Sequence, residues 1–270
     1  MPEMTADVSS QAPAKEAMPA MSFLDHLEEL RRRIFYSIIA VVVGFFVCWG
    51  YASNIVGWMQ QPIFDALKRN NMPQTLVYLN PTDPFNLYLK IAALAGLFIT
   101  SPFVLYQLWM FISPGLYRNE KKFVVPFMVS TVALFVSGGL FAYKMVYPAA
   151  LDFLIGYGKQ FQPMITIHEY VDLFLTVILG MGVVFEMPIL VFFLALMGVV
   201  SAGWMWRNVR YSILVIFIIA AILTPTTDIL NMCIFAAPMV GLYIVSIGIA
   251  WLVHPTQRKA RRERQEKKGS

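Results

Sequence analysis

Long apolar stretches separated by short polar ones run through most of the chain. Four of them are at least 25 residues long, one has 18 residues and one has 13. They span residues 34–51, 87–113, 123–147, 171–200, 211–223 and 229–253. Because a helix needs about 20 residues to cross the hydrocarbon of a bilayer, the pattern predicts an all-α integral membrane protein with six transmembrane helices.

The fifth stretch is the exception. Its 13 residues rise only about 20 Å as a helix, and Pro225 ends it by removing a hydrogen-bond donor. Residues 224–228 fit a tight turn, from which the sixth stretch runs straight back. We predict six spans with the last two helices short. A re-entrant hairpin made of the last two stretches is the alternative.

The flanks of these stretches divide the chain into three parts. Residues 1–20 contain no apolar run and predict a disordered tail. From Ser22, a candidate helix cap, apolar residues recur at helical spacing among charged ones. This spacing predicts an amphipathic helix that lies at the membrane surface and runs into the first span. Residues 21–253 thus form a membrane domain, and residues 254–270 form a basic cytoplasmic tail attracted to anionic lipid.

The distribution of positive charge predicts the orientation. Of the 21 Lys and Arg residues, 16 lie on the side that holds both termini, and three lie in the loops of the other side. Cytoplasmic loops carry the excess of Lys and Arg in membrane proteins. Both termini are therefore predicted to be cytoplasmic, and a re-entrant final pair would leave them there.

Two connections on the side opposite the termini are long enough to form structure of their own. Residues 52–86 contain four prolines, including Pro62, and predict a small structured cap on the periplasmic side. Asp83 followed by Pro84 suits the N-cap and first position of the second span. Residues 148–170 form the second sizeable loop. No internal repeat relates the two halves, which counts against the inverted-repeat transporter folds.

Composition excludes several classes of function. Apolar residues make up 58% of the chain and charged residues 14%, too few charges to cover a soluble fold. The two cysteines and three histidines lack metal-ligand spacing, and no motif for a nucleophilic hydrolase, metalloprotease or nucleotide-binding loop is present. The charged residues that give the net charge of +5 lie between the apolar stretches. The net charge therefore does not indicate nucleic-acid binding. We predict a protein that has no cofactor, metal or catalytic activity and whose function is binding or transport.

One acidic side chain interrupts the fourth stretch. Glu186 stands within Phe185-Glu186-Met187-Pro188, with no Lys or Arg for at least 20 positions on either side. An ionised carboxylate is costly in hydrocarbon. Glu186 is therefore either a neutral hydrogen-bond partner of a neighbouring helix or a functional group, and a proton relay, an ion site and a polar patch for cargo all remain open.

Two further carboxylates, Glu29 and Glu120, lie among basic residues on the predicted cytoplasmic surface. An ordinary surface pair of Glu29 with Arg33 at i,i+4 spacing, contributing about 0.3–0.5 kcal/mol, would explain the first without any function. Aromatic residues near the same end, among them Trp109 and Phe111, predict an interfacial belt.

Several motifs resemble those of the TatC family, the six-span subunit of the twin-arginine protein translocase. They begin with Ser22-Phe23-Leu24-Asp25-His26-Leu27-Glu28-Glu29-Leu30-Arg31, and continue with Pro62, Ser101-Pro102, Phe111-Ile112-Ser113-Pro114-Gly115-Leu116-Tyr117-Arg118-Asn119-Glu120-Lys121-Lys122, Phe141-Ala142-Tyr143, Phe185-Glu186-Met187-Pro188 and Thr224-Pro225. The resemblance covers residues 22 to about 253. The turn at residues 224–228 is one residue longer than the family's usual turn.

The resemblance implies a receptor for N-terminal signal peptides that carry an Arg pair. Such a receptor sits in the bacterial cytoplasmic (inner) membrane and exports folded cargo proteins with the proton-motive force. It implies single-span partners of the TatA and TatB type, and a homo-oligomer within a larger complex.

The matched motifs also imply roles for single residues. Glu29 and Glu120 would hold the twin arginines, because a guanidinium offers a planar fork to a carboxylate that Lys cannot reproduce. Glu186 would be a polar point on a lipid-facing groove that accommodates cargo or a polar residue of a partner. Arg31 and Phe111 would belong to the signal-peptide site, and Asp228 would be a second functional polar residue. The other matched positions, which would support function through the structure, are Pro62, Pro102 and Tyr143.

Three interpretations from different classes follow. The first is the translocase receptor. The second is a proton-coupled secondary transporter with Glu186 as the coupling site. The third is a structural scaffold that binds no specific peptide.

Overall fold

The computed structural model describes residues 23–112, 124–158, 161, 164–224 and 228–269. Helices dominate this part of the chain, and its only β-type pairing is a single parallel bridge between Val77 and Thr166. The helices are α1 (Phe23–Trp49), α2 (Ala52–Arg69), α3 (Asp83–Ile112), α4 (Val124–Phe141), a π-helical turn (Ala142–Val146), α5 (Tyr147–Tyr157), α6 (Ile167–Val184), α7 (Met187–Leu196), α8 (Ala202–Arg207), α9 (Val209–Leu223) and α10 (Ile229–Gly269).

Five helical segments of the described chain are long and apolar enough to cross a membrane. They are His26–Trp49, Asp83–Phe111, Phe127–Tyr157, Ile167–Leu196 and Ile229–Leu252. The fifth predicted span, α9, is a shorter apolar helix of 15 residues, as the sequence indicated. The prediction that the last helix is also short is wrong, because the apolar part of α10 has 24 residues and its helix continues through the basic tail to Gly269.

The contact between α1 and α3 is the closest helix packing that these segments make. A Cβ atom on Gly44 would lie 2.8 Å from the carbonyl oxygen of Gly96, and one on Gly96 would lie 2.6 Å from the backbone nitrogen of Phe45. The hydroxyl of Thr100 donates to the same Gly96 carbonyl at 2.7 Å. Small residues allow two backbones to approach in this way, so the two glycines set the distance between the helices.

Replacing Gly96 by alanine is expected to destabilise the protein by about 1–3 kcal/mol or more, since the new methyl group meets backbone that cannot move aside. Thermal unfolding of the purified protein in detergent would measure the loss. Gly241→Ala is the matched control, because a Cβ there has no neighbour within 4 Å. Equal melting temperatures for the two variants would contradict this account of the α1–α3 contact.

Pro102 lies inside α3. Proline cannot donate to the carbonyl of the residue four positions earlier, here Phe98. The hydroxyl of Ser101 donates to that carbonyl at 2.7 Å. The Ser-Pro pair therefore frees a carbonyl within the second span and satisfies it locally.

A helical cap covers one end of the spans. It consists of α2 and residues 70–82, and α2 packs on α3 and on α5, the last part of the third span. Two tyrosines tie α2 to the spans: Tyr170 donates to the carbonyl of Met59 at 2.5 Å, and Tyr143 donates to that of Trp58 at 2.7 Å. Pro62 is buried inside α2. The predicted structured cap is therefore present.

Two details of the cap differ from the sequence predictions. Residues up to Tyr157 are helical and continue the third span, so the loop predicted from residue 148 is much shorter. Asp83 is the first residue of α3 and not its cap. Its carboxylate instead accepts hydrogen bonds from the backbone N–H groups of Leu79 and Asn80, at 3.2 and 3.0 Å, and holds the preceding turn.

The fourth span is broken in the middle. It consists of α6 and α7, which are separated by Phe185 and Glu186. Both residues keep helical φ and ψ angles, but Pro188 has no N–H for the carbonyl of Val184. The break places Glu186 at the end of one helix and the start of the next.

Candidate functional site

An ion pair joins Glu29 to Arg33 near the start of α1. Nε of Arg33 donates to Oε1 of Glu29 at 2.9 Å, and Nη2 donates to the same oxygen. The two side chains are only 10% and 15% exposed. Nη1 of Arg33 also donates to Oε1 of Gln107, a buried residue of α3, at 3.2 Å. The i,i+4 pair considered from the sequence is present, but it is half-buried between two spans and not a freely solvated surface pair.

The second oxygen of the Glu29 carboxylate differs from the first. Oε2 is buried and has no hydrogen-bond partner among the described residues. A carboxylate has about four lone-pair sites and accepts a guanidinium with both oxygens. Glu29 therefore holds one guanidinium through Oε1 and keeps accepting capacity at Oε2.

A stacking contact between two aromatic rings also joins α1 to α3. The rings of His26, on α1, and Phe111, on α3, stack with their centroids 4.3 Å apart and their planes 14° apart. Arg31 is exposed on the outer side of α1. The start of α1 and the end of α3 thus bring Glu29 and Phe111 to the same end of the molecule, with Arg31 close by in sequence.

Trp109 does not belong to an interfacial belt. Its ring is buried, stacked on Phe193 at 4.5 Å and perpendicular to Phe127 at 4.4 Å. The belt prediction is wrong for Trp109, because this ring faces α4 and α7 and not lipid headgroups. Sequence position near a span end cannot distinguish these two faces of a helix.

Glu120 lies outside the described residues, as do Pro225, Thr226 and Thr227. The pairing of Glu120 with Glu29 therefore stays a prediction. Asp228 is described, and its Oδ1 accepts a hydrogen bond from the backbone N–H of Asn231 at 2.7 Å. It therefore caps α10, which a carboxylate favours at a helix N-terminus.

Glu186 points into the protein. Both of its carboxyl oxygens are buried and have no hydrogen-bond partner among the described residues. Tyr143, by contrast, lies in the π-helical turn and has its hydroxyl bound to α2. The role of Glu186 toward a partner or cargo stays a prediction, but its oxygens do not lie on the surface of the folded chain.

The sequence missed a polar network at the capped end. Lys90 of α3 forms an ion pair with Asp172 of α6, and Nε2 of His168 lies 3.5 Å from the other oxygen of Asp172. His168 and Asp172 also line a cavity of about 860 Å³ that reaches Leu223 and Thr224 at the end of α9. The sequence showed no partner for Lys90. The only signal for an ion pair was the position of Lys90 near the end of a span.

Within the described part of the chain, no group of three or more His, Cys, Asp or Glu side chains is arranged to hold a metal ion. Several polar residues there form ion pairs or helix caps, whereas the carboxyl oxygens of Glu186 are buried without a partner among the described residues. The chemistry they offer is the recognition of cations by carboxylates and hydrogen bonding inside the membrane.

Apolar spans around buried polar groups, closed by a helical cap, define a multispanning membrane protein of the transport class. A family model described as "Sec-independent protein translocase protein (TatC)" matches residues 25–238. The chain belongs to the TatC family and is a component of a protein translocase.

Relatives and solved structures agree with this membership. The chain is 66% identical to the Sec-independent protein translocase protein TatC of Koribacter versatilis, over 98% of both chains. It is 37% identical to the protein of the same description from Carboxydothermus hydrogenoformans, over 90% of this chain and 98% of the other. A crystal structure described as the twin arginine translocase receptor TatC superposes with a TM-score of 0.76 and 34% identity, over 84% of this chain and 99% of that one.

Proposed function

We propose that this protein is the receptor subunit of its translocase and binds Arg-Arg signal peptides of folded cargo through Glu29 and Glu120. The observation that carries the proposal is the carboxylate of Glu29, one oxygen of which is buried and unpartnered among the described residues, one helical turn from His26, whose ring stacks on Phe111. The similar crystal structure is described as a twin arginine translocase receptor, which supports a receptor role for this chain.

The pair with Arg33 explains how Glu29 would recognise arginine. Its carboxylate already accepts two N–H groups of a guanidinium. An arginine of the signal peptide would then donate to Oε2 of Glu29. Alternatively, it would replace Arg33 at Oε1, and Arg33 would move toward Gln107. Glu120 would take the second arginine, so that each guanidinium has one carboxylate. Lysine, a point charge without a planar fork, fits this geometry less well.

The proposed receptor has both termini in the cytoplasm of a bacterial inner membrane. Support comes from the excess of Lys and Arg on the side of the termini, 16 against three. On this orientation Glu29 faces the cytoplasm, where signal peptides are made, and the cap is periplasmic. With α9 counted as a short span, the chain crosses the membrane six times.

The energy and the partners are proposed from the family. The sequence carries no nucleotide-binding motif, so export would draw on the proton-motive force. Single-span TatA- and TatB-type subunits and further copies of this chain would cover apolar helix faces that the folded chain leaves open. The faces available are wide: the mid-span side chains Phe35, Val43 and Phe46 of α1 are all more than half exposed.

Site-specific crosslinking would test the receptor proposal. A photoreactive residue replaces Leu27, which is exposed two positions before Glu29. We expect crosslinks to an Arg-Arg signal peptide and far fewer to a Lys-Lys version of the same peptide. The same photoreactive residue at Val43, in the middle of α1, is the matched control for non-specific insertion. Equal yields from the two peptides at position 27 would refute the proposal.

A further inference from the structure

The cavity that His168 and Asp172 line has an apolar interior. Its volume is about 860 Å³, and it lies between the cap, α5, α6 and the end of α9. Each of these elements contributes apolar side chains to the wall, among them Ile63, Met72, Leu151, Leu154, Leu173 and Leu223. A cavity of this size with an apolar wall and a few polar groups is typical of a binding site for a small molecule.

The part of the cavity next to α9 lies at the depth of lipid chains. Arg207 and Arg210 are at the start of α9, and because charged side chains are costly in hydrocarbon, this end of the helix lies near one membrane surface. The 15 residues of α9 rise about 22 Å, less than the hydrocarbon core of about 30 Å. Leu223 and Thr224, which line the cavity, are therefore within reach of the acyl chains of the opposite leaflet.

The surface around the opening is also apolar. Ile222 lines the cavity and is 74% exposed. Tyr157 and Phe161 lie on either side of the lining residue Gly158 in sequence and are 73% and 74% exposed, and the N–H of Phe161 donates to the carbonyl of Gly158 at 2.9 Å. Large aromatic side chains gather where lipid chains meet headgroups. The cavity therefore opens toward the bilayer.

The rim of the cavity carries an excess of negative charge. His168, Glu169 and Asp172 line it from the first two turns of α6. Asp172 is paired with Lys90, whereas the exposed carboxylate of Glu169 takes part in none of the ion pairs of the described residues. With neutral His168, two carboxylates and one ammonium leave one negative charge in excess. Such a rim attracts a cation and repels a further anion.

We propose that this cavity binds one phosphatidylethanolamine molecule from the leaflet at the capped end. One acyl chain fills the apolar interior between α5, α6 and α9. The ammonium of the headgroup donates charge-assisted hydrogen bonds to the carboxylates of Glu169 and Asp172 at the rim. Phosphatidylglycerol offers the same chains, but its headgroup is anionic and has no ammonium, so the rim disfavours it.

A bound lipid has a consequence for the end of α9. The last two residues of this helix, together with Thr224, form its share of the cavity wall. The acyl chain then lies between the end of α9 and the cap, and it supplies packing that the side chains leave out. The position of the end of α9 thus depends on the lipid as well as on neighbouring helices.

Native mass spectrometry of the full chain in a non-ionic detergent would test the site. Phosphatidylethanolamine and phosphatidylglycerol with identical acyl chains are titrated separately, and the fraction of protein with one bound lipid gives each apparent affinity. We expect phosphatidylethanolamine to bind about tenfold more tightly, the effect of one hydrogen bond to a charged group. Equal affinities, or a preference for phosphatidylglycerol, in the wild-type protein overturn the proposal without any variant.

Substitution of Glu169 tests the recognition of the headgroup. Glu169→Gln keeps the size of an exposed side chain and removes its charge, so it should lower the affinity for phosphatidylethanolamine and remove most of the preference. Asp65→Asn is the matched control, because Asp65 is an exposed acid on α2 that does not line the cavity. An undiminished preference in Glu169→Gln shows that the headgroup lies elsewhere and overturns the proposal.

A bulky side chain tests where the acyl chain lies. Thr176 is an exposed lining residue of α6, and Thr176→Trp should fill the interior and abolish the tight binding of phosphatidylethanolamine. Leu179→Trp is the control, since Leu179 is exposed on the same helix but does not line the cavity. The melting temperature of each variant in detergent verifies that it is folded. Wild-type affinity in a folded Thr176→Trp protein overturns the proposal.

Discussion

Replacing Glu29 or Glu120 by alanine is expected to lower the affinity for an Arg-Arg signal peptide by about one to two orders of magnitude, while the protein stays folded and inserted. Hydrogen bonds to charged groups contribute about 1.5–3 kcal/mol, and each 1.4 kcal/mol corresponds to a factor of about ten. Equilibrium binding of a fluorescent signal peptide to the purified protein would measure both variants. Binding should also weaken as salt concentration rises, because salt screens the attraction between the approaching basic peptide and the two carboxylates.

The neighbouring Glu28 provides the control for the loss of one negative charge. It is exposed and adjacent in sequence, so Glu28→Ala should bind almost as well as wild type. Arg33→Gln tests whether Arg33 competes with the peptide for Glu29. If it does, this variant should bind the peptide at least as tightly as the wild-type protein. Normal affinity in both Glu29→Ala and Glu120→Ala would show that the arginines are bound elsewhere.

Lengthening α9 by four leucines after Leu223 is expected to leave signal-peptide binding intact and to reduce export strongly. The 15 residues of α9 rise about 22 Å, against a hydrocarbon core of about 30 Å. A short span thins the bilayer or draws its flanks inward, which lowers the barrier for a large polar cargo. Four residues add about 6 Å and restore a full span. Export of a folded reporter protein in cells would measure the effect.

The inserted turn also changes the orientation of the residues that follow, so a control is needed for general tolerance. Five alanines placed after Gly158 lengthen a connection that lies outside the described helices. That variant should export normally. Leu223 packs against Gly180, where a Cβ atom would lie 2.5 Å from its side chain, and the insertion leaves this contact in place. Wild-type export from the lengthened α9 would mean that its shortness is incidental.

Much of the fold was predictable because lipid imposes a simple pattern. A span must be apolar over about 20 residues, and five of the six predicted stretches correspond to long helices. The short fifth stretch was also correctly identified from its length and Pro225. The extent of α5 was missed because Pro148 was taken as part of a loop, although proline is common in the first turn of a helix and Leu151, Leu154 and Ile155 follow helical spacing. Tertiary packing on α2 determines that segment.

The candidate site was predictable only in part. The i,i+4 spacing indicated the pair of Glu29 with Arg33, but its burial depends on Gln107, which is 74 positions away from Arg33. Glu186 was visible as an isolated charge in an apolar run. The burial of both its carboxyl oxygens was not visible, because that burial depends on which helices pack around it. Long-range contacts of this kind require the fold.

The attachment of α1 has a consequence for biosynthesis. Its main contacts are with α3, through the glycines at their crossing, and α2 between them also packs on α3. The first 112 residues thus contain both partners of this contact, so the pair can close while the later spans are still being synthesised. Since α3 also contacts α4 and α6, the pair of α1 and α3 then offers these two later helices a surface to pack on as they enter the membrane.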